Sequence, residues 1–261
     1  MVLVTEPDTF PRELRRWRDA RRWSQLELAL RAGTTQRHLS FLEQGRSRPG
    51  RPLVVRLAES LALSLRERNA LLLTAGYAPV FAESDLDAPE LAPVRAALDR
   101  ILEGHLPYPA VVVRPYGVLV AANAAHAVLT EGADPALLEP PVNVLRLALH
   151  PAGMGPRVEN LAEWGRHIID SLRSQALRSP APALDDLIAE LESYVPPAVP
   201  GPDHVGFAVP LRVQAGGEQL RLITTLTSFA TAVDVTLSEL RLEAFLPADE
   251  ATAAALRRLA A

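Results

Sequence analysis

Apolar residues recur at three- and four-residue steps through the first 75 positions, the period of helices that bury one face. Phe10, Leu14 and Trp17 line one stripe of a helix over about Pro11–Ala20, with proline in its first turn. Leu26, Ala29 and Leu30 give an apolar face to a second helix. Ser24 opens it, three residues before Glu27, at capping-box spacing. Gly33 stops it, because glycine accepts the left-handed backbone of a helix C-terminus. Thr35 caps a third helix that runs to Gln44 and closes at Gly45. A fourth spans about Pro52–Leu61, with Leu53, Leu57 and Leu61 at four-residue steps. A fifth spans Ser64–Ala75, between a second Ser64/Glu67 capping box and Gly76. Five short helices predict a compact all-α domain over residues 1–80.

The second and third helices, joined by a tight turn, have the layout of a helix-turn-helix, whose second helix enters the DNA major groove. At about 100° per residue, Gln36, Arg37, Ser40, Phe41 and Gln44 share one arc of the third helix, and Leu39 and Leu42 face the other way. Glutamine and arginine are side chains that pair bidentately with adenine and guanine edges. Charge sharpens this reading. Residues 1–80 carry 14 arginines against 8 acids, a net +6, while the remainder carries −10. Contact with a polyanion is therefore expected only in the first third. All 27 basic residues are arginine, which reads as the bias of a GC-rich genome.

The segment SQLELALRAGTTQRHLSFLEQGRSRP resembles the XRE family, the Cro and phage-repressor type of helix-turn-helix, nearly position by position. The resemblance places Gln36, Arg37 and Phe41 where the family reads bases. It places Gln25, Gln44, Arg46 and Arg48 where the family holds phosphates, and Thr35 and Ser40 complete the DNA-binding set. Arg18 and Glu43 correspond to a pair that ties the first helix to the recognition helix. Phe41 departs from the usual polar residue: it either touches a thymine methyl or packs inward. Arg46, Arg48 and Arg51 could form only a solvated basic loop, but their place after the recognition helix better supports a phosphate clamp.

Residues 81–95 are rich in proline and acids and read as a linker. Beyond it, over 96–261, the patterning is mixed. A helix over Val94–Gly104 precedes two apolar runs, Ala110–Val113 and Val118–Ala122, around the hairpin signal Arg114-Pro115-Tyr116-Gly117. Asn123 then caps a helix through Leu129. Long helical patterns cover Arg157–Arg178 and Ala183–Tyr194. Phe207–Val213 and Gln219–Ser228 read as a hairpin across Gly216-Gly217, Ala232–Thr236 as one more strand, and Ala248–Ala261 as a terminal helix. Antiparallel strands with inserted helices make an α+β domain.

The segments LRERNALLLTAGYAP, PYPAVVV, VLVAANAA and NVLRLALHP, with RHLSFLEQGRSRP, resemble regulators that fuse an XRE head to an MmyB-like, PAS-like ligand-binding domain. That resemblance implies a sensor with an apolar pocket for a fatty acid or similar amphiphile. Val113, Trp164, Ile168, Phe207, Leu222 and Leu226 are the candidate lining, each also an ordinary core residue. Asn123, Arg146, His150 and His167 are the candidate head-group contacts, although Asn123 equally suits a helix cap and His150 a helix end.

No Walker or dinucleotide glycine loop, His-Glu-x-x-His or Gly-x-Ser-x-Gly occurs, and there is no cysteine. The six histidines show no pair at metal-ligand spacing, and Asp185-Asp186 are adjacent residues that diverge on a helix. Neither an enzyme nor a cofactor or metal site is expected. Nor is a membrane span or signal peptide, and the absence of cysteine fits a reducing cytoplasm. The expectation is a cytoplasmic regulator that binds a double-stranded operator as a homodimer and senses a small apolar ligand. The alternatives are a C-terminal domain that only dimerises or recruits a partner, and an enzyme with a DNA-tethering head.

Overall fold

The computed structural model describes residues 9–197, 209–229 and 232–260. The chain divides into two compact units, one running to Ser84 with Ala230–Ser238 added, the other comprising Asp85–Phe229 and Glu239–Ala261.

In the first unit the head residues form α1 (Phe10–Ala20), α2 (Gln25–Arg31), α3 (Gln36–Glu43), α4 (Arg51–Ser60) and α5 (Leu65–Thr74). Phe10, Leu14, Trp17, Leu39, Leu42, Leu53, Leu57 and Leu61 enclose one core, as the periodicity predicts. The apolar face of α2 differs from expectation. Leu28 and Ala29 are buried, whereas Leu26 and Leu30 stand 49% and 71% exposed. A seven-residue helix of this composition offers two apolar stripes, and packing against α3 and α4 selects one. The Ser24 box is also half made. Ser24 accepts the Glu27 N–H at 3.1 Å, but the Glu27 carboxylate turns to Arg31. At Ser64 and Glu67 both halves form.

The chain beyond the head continues with α6 (Ala92–Glu103), β1 (Ala110–Arg114), β2 (Val118–Ala122), α7 (Ala127–Thr130), α8 (Val144–Leu149), α9 (Leu161–Arg178) and α10 (Pro182–Glu192). Then come β3 (Leu211–Ala215), β4 (Glu218–Ser228), α11 (Val235–Glu239), β5 (Arg241–Pro247) and α12 (Glu250–Leu259). Among the described residues the strands form one antiparallel sheet of order β2-β1-β5-β4-β3. Cross-strand register puts Val111 and Val113 on the same face as Leu222 and Phe245. That face packs with Leu149 of α8, Trp164 and Ile169 of α9, and Leu187 and Leu191 of α10.

Two sequence expectations are corrected here, and one helix is added. The helical pattern from Arg157 starts four residues late. Val158 bridges to Val213, and the Asn160 side chain donates to the Pro210 carbonyl at 2.8 Å and accepts the Arg212 N–H at 3.0 Å, so these residues join β3 before α9 begins. The strand expected at Ala232–Thr236 is absent among the described residues, and β5 lies later, at the sheet's centre. Asp234 explains the change, since its carboxylate accepts the Leu237 N–H and starts a helical turn instead of a ladder. The other carboxylate oxygen accepts the Ser84 N–H at 3.0 Å, and Val235 donates to the Ala82 carbonyl at 2.8 Å. Residues 232–238 thus fold with the head. Finally, α8 had no counterpart in the periodicity. Asn143 creates it by accepting the Leu145 and Arg146 N–H groups.

Candidate nucleic-acid interface and sensor core

The recognition helix α3 is fixed from both ends. Thr35 accepts the His38 N–H at 3.1 Å, so this residue serves as the N-cap. At the other end Gly45 adopts φ +69°, and the Arg46 N–H returns to the Phe41 carbonyl at 2.8 Å. Leu39 and Leu42 are fully buried, which turns Gln36 and Arg37 out to solvent and leaves Ser40 and Phe41 half-buried. Gln44 donates to the Ser40 hydroxyl at 3.0 Å. The structure therefore brings Gln36, Arg37, Ser40, Phe41 and Gln44 onto one face, with Arg46 and Arg48 exposed on the loop that follows. Arg37, Arg46 and Arg48 have no carboxylate partner among the described residues. Their positive charge is uncompensated on the protein side, the electrostatics that a phosphate backbone complements.

Behind this face lies a nearly dry ion pair. Arg18 of α1 donates to Glu43 through Nε at 2.7 Å and Nη2 at 3.0 Å, and to the Trp23 carbonyl at 2.8 Å. Their side chains are 11% and 3% exposed. The Glu43 hydrogen bond raises the Arg18 pKa further above its ordinary value, against the opposing effect of burial. Gln25 donates to the same carboxylate at 2.8 Å. The amide donor assigned to a phosphate by resemblance is thus engaged inside the protein, bracing the start of α2 against the end of α3.

The second unit gathers some of the expected ligand contacts and scatters others. Val113, Trp164 and Leu222 belong to one buried cluster, against which Ile168 packs. Leu226 shares that sheet face but is 67% exposed, because the covering helices do not reach the far end of β4. His167 is exposed, one helical step away from the buried side of α9. Phe207 lies outside the described residues. Asn123 caps no helix with its side chain; it accepts the Ala110 N–H and donates to the Leu102 and Tyr108 carbonyls, fastening the end of α6 to β1. Arg146 grips Glu190 with two hydrogen bonds of 2.6 and 2.8 Å, which holds that carboxylate below its usual pKa range. His150 accepts the Ala152 N–H and stands edge-on to Tyr194. These three head-group candidates are thus committed to the protein.

Two titratable groups escaped the sequence reading. Glu243 sits on the core face of β5, level with Val111 and Leu226, and has no hydrogen-bond donor or cation among the described residues. Burial raises its pKa. The two-residue alternation of Glu243 with Phe245 is the signal that places it inward, once β5 is recognised. His126 is 8% exposed, and desolvation lowers its pKa to about 4.

Two families match separate stretches of the chain. The helix-turn-helix family matches residues 14–68. The MmyB-like transcription regulator ligand binding domain matches residues 94–259, well over half of the chain. No curated protein matches significantly. Among the described residues, no helix is long and apolar enough to cross a membrane. An α3 face of base-reading residue types and a helix-packed sheet match the two families in turn, and the chain belongs to the MmyB-like transcription regulators, which join a DNA-binding helix-turn-helix to a ligand-sensing domain.

Proposed function

We propose that the protein is a cytoplasmic, homodimeric regulator that reads a palindromic operator through α3 and adjusts its affinity when the C-terminal domain binds an apolar or amphiphilic molecule of the fatty-acid class. The observation that carries this reading is the exposed, unpaired row of Gln36, Arg37, Arg46 and Arg48 on and beside a helix sealed from behind by Leu39 and Leu42. Gln36 and Arg37 read base edges, while Arg46 and Arg48 hold phosphates. Two heads on half-sites about one helical turn (~34 Å) apart match the usual operator geometry.

The domain assignment is a head over 1–80, a linker over 81–95 and a PAS-like sensor over 96–261, from which residues 232–238 fold back with the head. The five-stranded antiparallel sheet, with α8, α9 and α10 packed on its Val111/Val113 face, supports the last of these. Its ligand lies against the cluster containing Val113, Trp164, Ile168 and Leu222. The exposed far end of the same sheet face, at Leu226, is the side on which an amphiphile would present its polar end. Ligand controls DNA binding only to the extent that it prefers one conformational state.

Operator titrations with and without a saturating long-chain fatty acid, combined with native mass spectrometry, test the whole. Arg37→Ala should lose roughly 1–3 kcal/mol at one base, and Arg46→Ala should weaken all sequences alike and flatten the salt dependence. Trp164→Ala should lower fatty-acid affinity with the head still folded. A monomer with salt-independent DNA binding and no response to fatty acid refutes the reading.

A further inference from the structure

The recognition face contains one aromatic ring, and its neighbour is the arginine assigned to base reading. The Arg37 guanidinium carbon lies 5.4 Å from the centroid of the Phe41 ring. Arg37 is exposed and has no carboxylate or hydrogen-bond partner among the described residues, which leaves the Phe41 ring as the group placed to steer it. We propose that Phe41 is a positioning residue for base recognition, holding the Arg37 guanidinium as a pre-formed planar fork for a guanine edge. The proposal rests on Arg37 being a base-reading residue.

The geometry follows from the helix. Positions four apart lie one above the other, and a helical side chain leans toward the N-terminus, so the ring at 41 lies over the turn that carries residue 37. Phe41 is itself well held. It is half-buried, and its carbonyl accepts the Arg46 and Ser47 N–H groups at 2.8 and 3.3 Å, which fixes its backbone. A phenyl ring has two side-chain torsions, whereas an exposed arginine samples many rotamers. The cation–π contact restricts where the guanidinium sits before DNA arrives, and guanine rewards a placed guanidinium because O6 and N7 accept two parallel N–H bonds.

The other residues of the face sharpen the contrast. Ser40 is already engaged by Gln44 at 3.0 Å. Gln36 has no such partner among the described residues and stays adaptable. Discrimination should therefore be steepest at the base under Arg37 and shallower at the base under Gln36. A half-buried Phe41 that carries the Arg37 cation is a third role for this ring, beside a thymine-methyl contact and inward packing.

The test uses the full chain and an operator chosen by selection from random duplexes, with each guanine replaced in turn by 7-deazaguanine, which lacks the N7 acceptor. Wild type should lose affinity sharply at one guanine, and Arg37→Ala should abolish that loss. Phe41→Ala should shrink the same loss by roughly two- to fivefold, the range of an exposed cation–π contact, and should change nothing further when added to Arg37→Ala. Phe41→Tyr should restore it. Thermal unfolding of each variant separates a misfolded head from a released arginine, and Phe41→Leu, which keeps apolar bulk without a ring and should shrink the penalty as Phe41→Ala does, keeps the test decisive if Phe41→Ala unfolds. An Arg37→Ala variant that keeps the guanine penalty overturns both the reading of Arg37 and the stack. A Phe41→Ala variant that weakens every duplex equally while keeping the full penalty overturns the stack alone, as does a Tyr variant that behaves like Ala.

Discussion

Replacing Glu43 by alanine removes three hydrogen bonds at once: two from Arg18, at 2.7 and 3.0 Å, and one from Gln25, at 2.8 Å. It also strands a guanidinium whose side chain is only 11% exposed. Breaking a buried pair by deleting one partner typically costs about 3–5 kcal/mol. Arg18 retains the Trp23 carbonyl and a 2.7 Å contact with the half-exposed Asp19, so the lower part of that range, about 3 kcal/mol, is expected. For a head of this size that corresponds to a fall of roughly 12–24 °C in Tm. Denaturant unfolding in a Trp164→Phe background reads the head alone, because the remaining tryptophans, Trp17 and Trp23, both lie in it. The paired change Arg18→Met with Glu43→Leu should recover most of the loss, since it removes both charges together. A single mutant destabilised by less than about 1 kcal/mol, the range of an exposed pair, would refute the argument, and so would a double mutant no better than the sum of its parts.

Three further outcomes are expected. His126 has a folded pKa of about 4 against 6.5 unfolded. The unfolded chain therefore takes up the proton first, and stability falls as pH drops through that window by about 3 kcal/mol. The difference between wild-type and His126→Leu denaturation curves from pH 7 to pH 4 measures it, and parallel curves contradict it. Glu243 is shifted the other way, so Glu243→Gln should stabilise the protein at neutral pH, with a gain that vanishes once acid protonates the carboxyl; calorimetry against pH reads the sign. Gly117 holds φ +78°, and a Cβ there would lie 2.7 Å from Leu145 Cγ, so Gly117→Ala should destabilise by about 1–3 kcal/mol through strain and overpacking. An unchanged Tm would show that Leu145 moves aside freely.

Much of the head was legible because its information is local. Caps, glycine stops and three-and-four spacing are statements about neighbouring residues, and α1–α5 appear where those signals stand. The facing of α3 was legible for the same reason, since one turn of helix decides which residues accompany Leu39 and Leu42. The misread face of α2 shows the limit. Leu26, Leu28 and Leu30 are equally apolar, and only the positions of α3 and α4 choose Leu28.

The sensor domain depended on information far apart in the chain. The central strand β5 pairs with β1, more than a hundred residues earlier, and nothing within Arg241–Pro247 announces that partnership. The inward place of Glu243 follows only from that register. In the same way Asn123, Arg146 and His150 look free in the sequence, and tertiary structure supplies their partners: Leu102, Tyr108 and Ala110 for the first, Glu190 for the second, Tyr194 for the third. Sequence alone determined that this protein has a helix-turn-helix with Gln36 and Arg37 outward, because helical periodicity is a short-range constraint. Tertiary structure decided which polar groups are spent on the fold and which remain for a ligand or for DNA, because hydrogen-bond satisfaction depends on neighbours brought together only by folding.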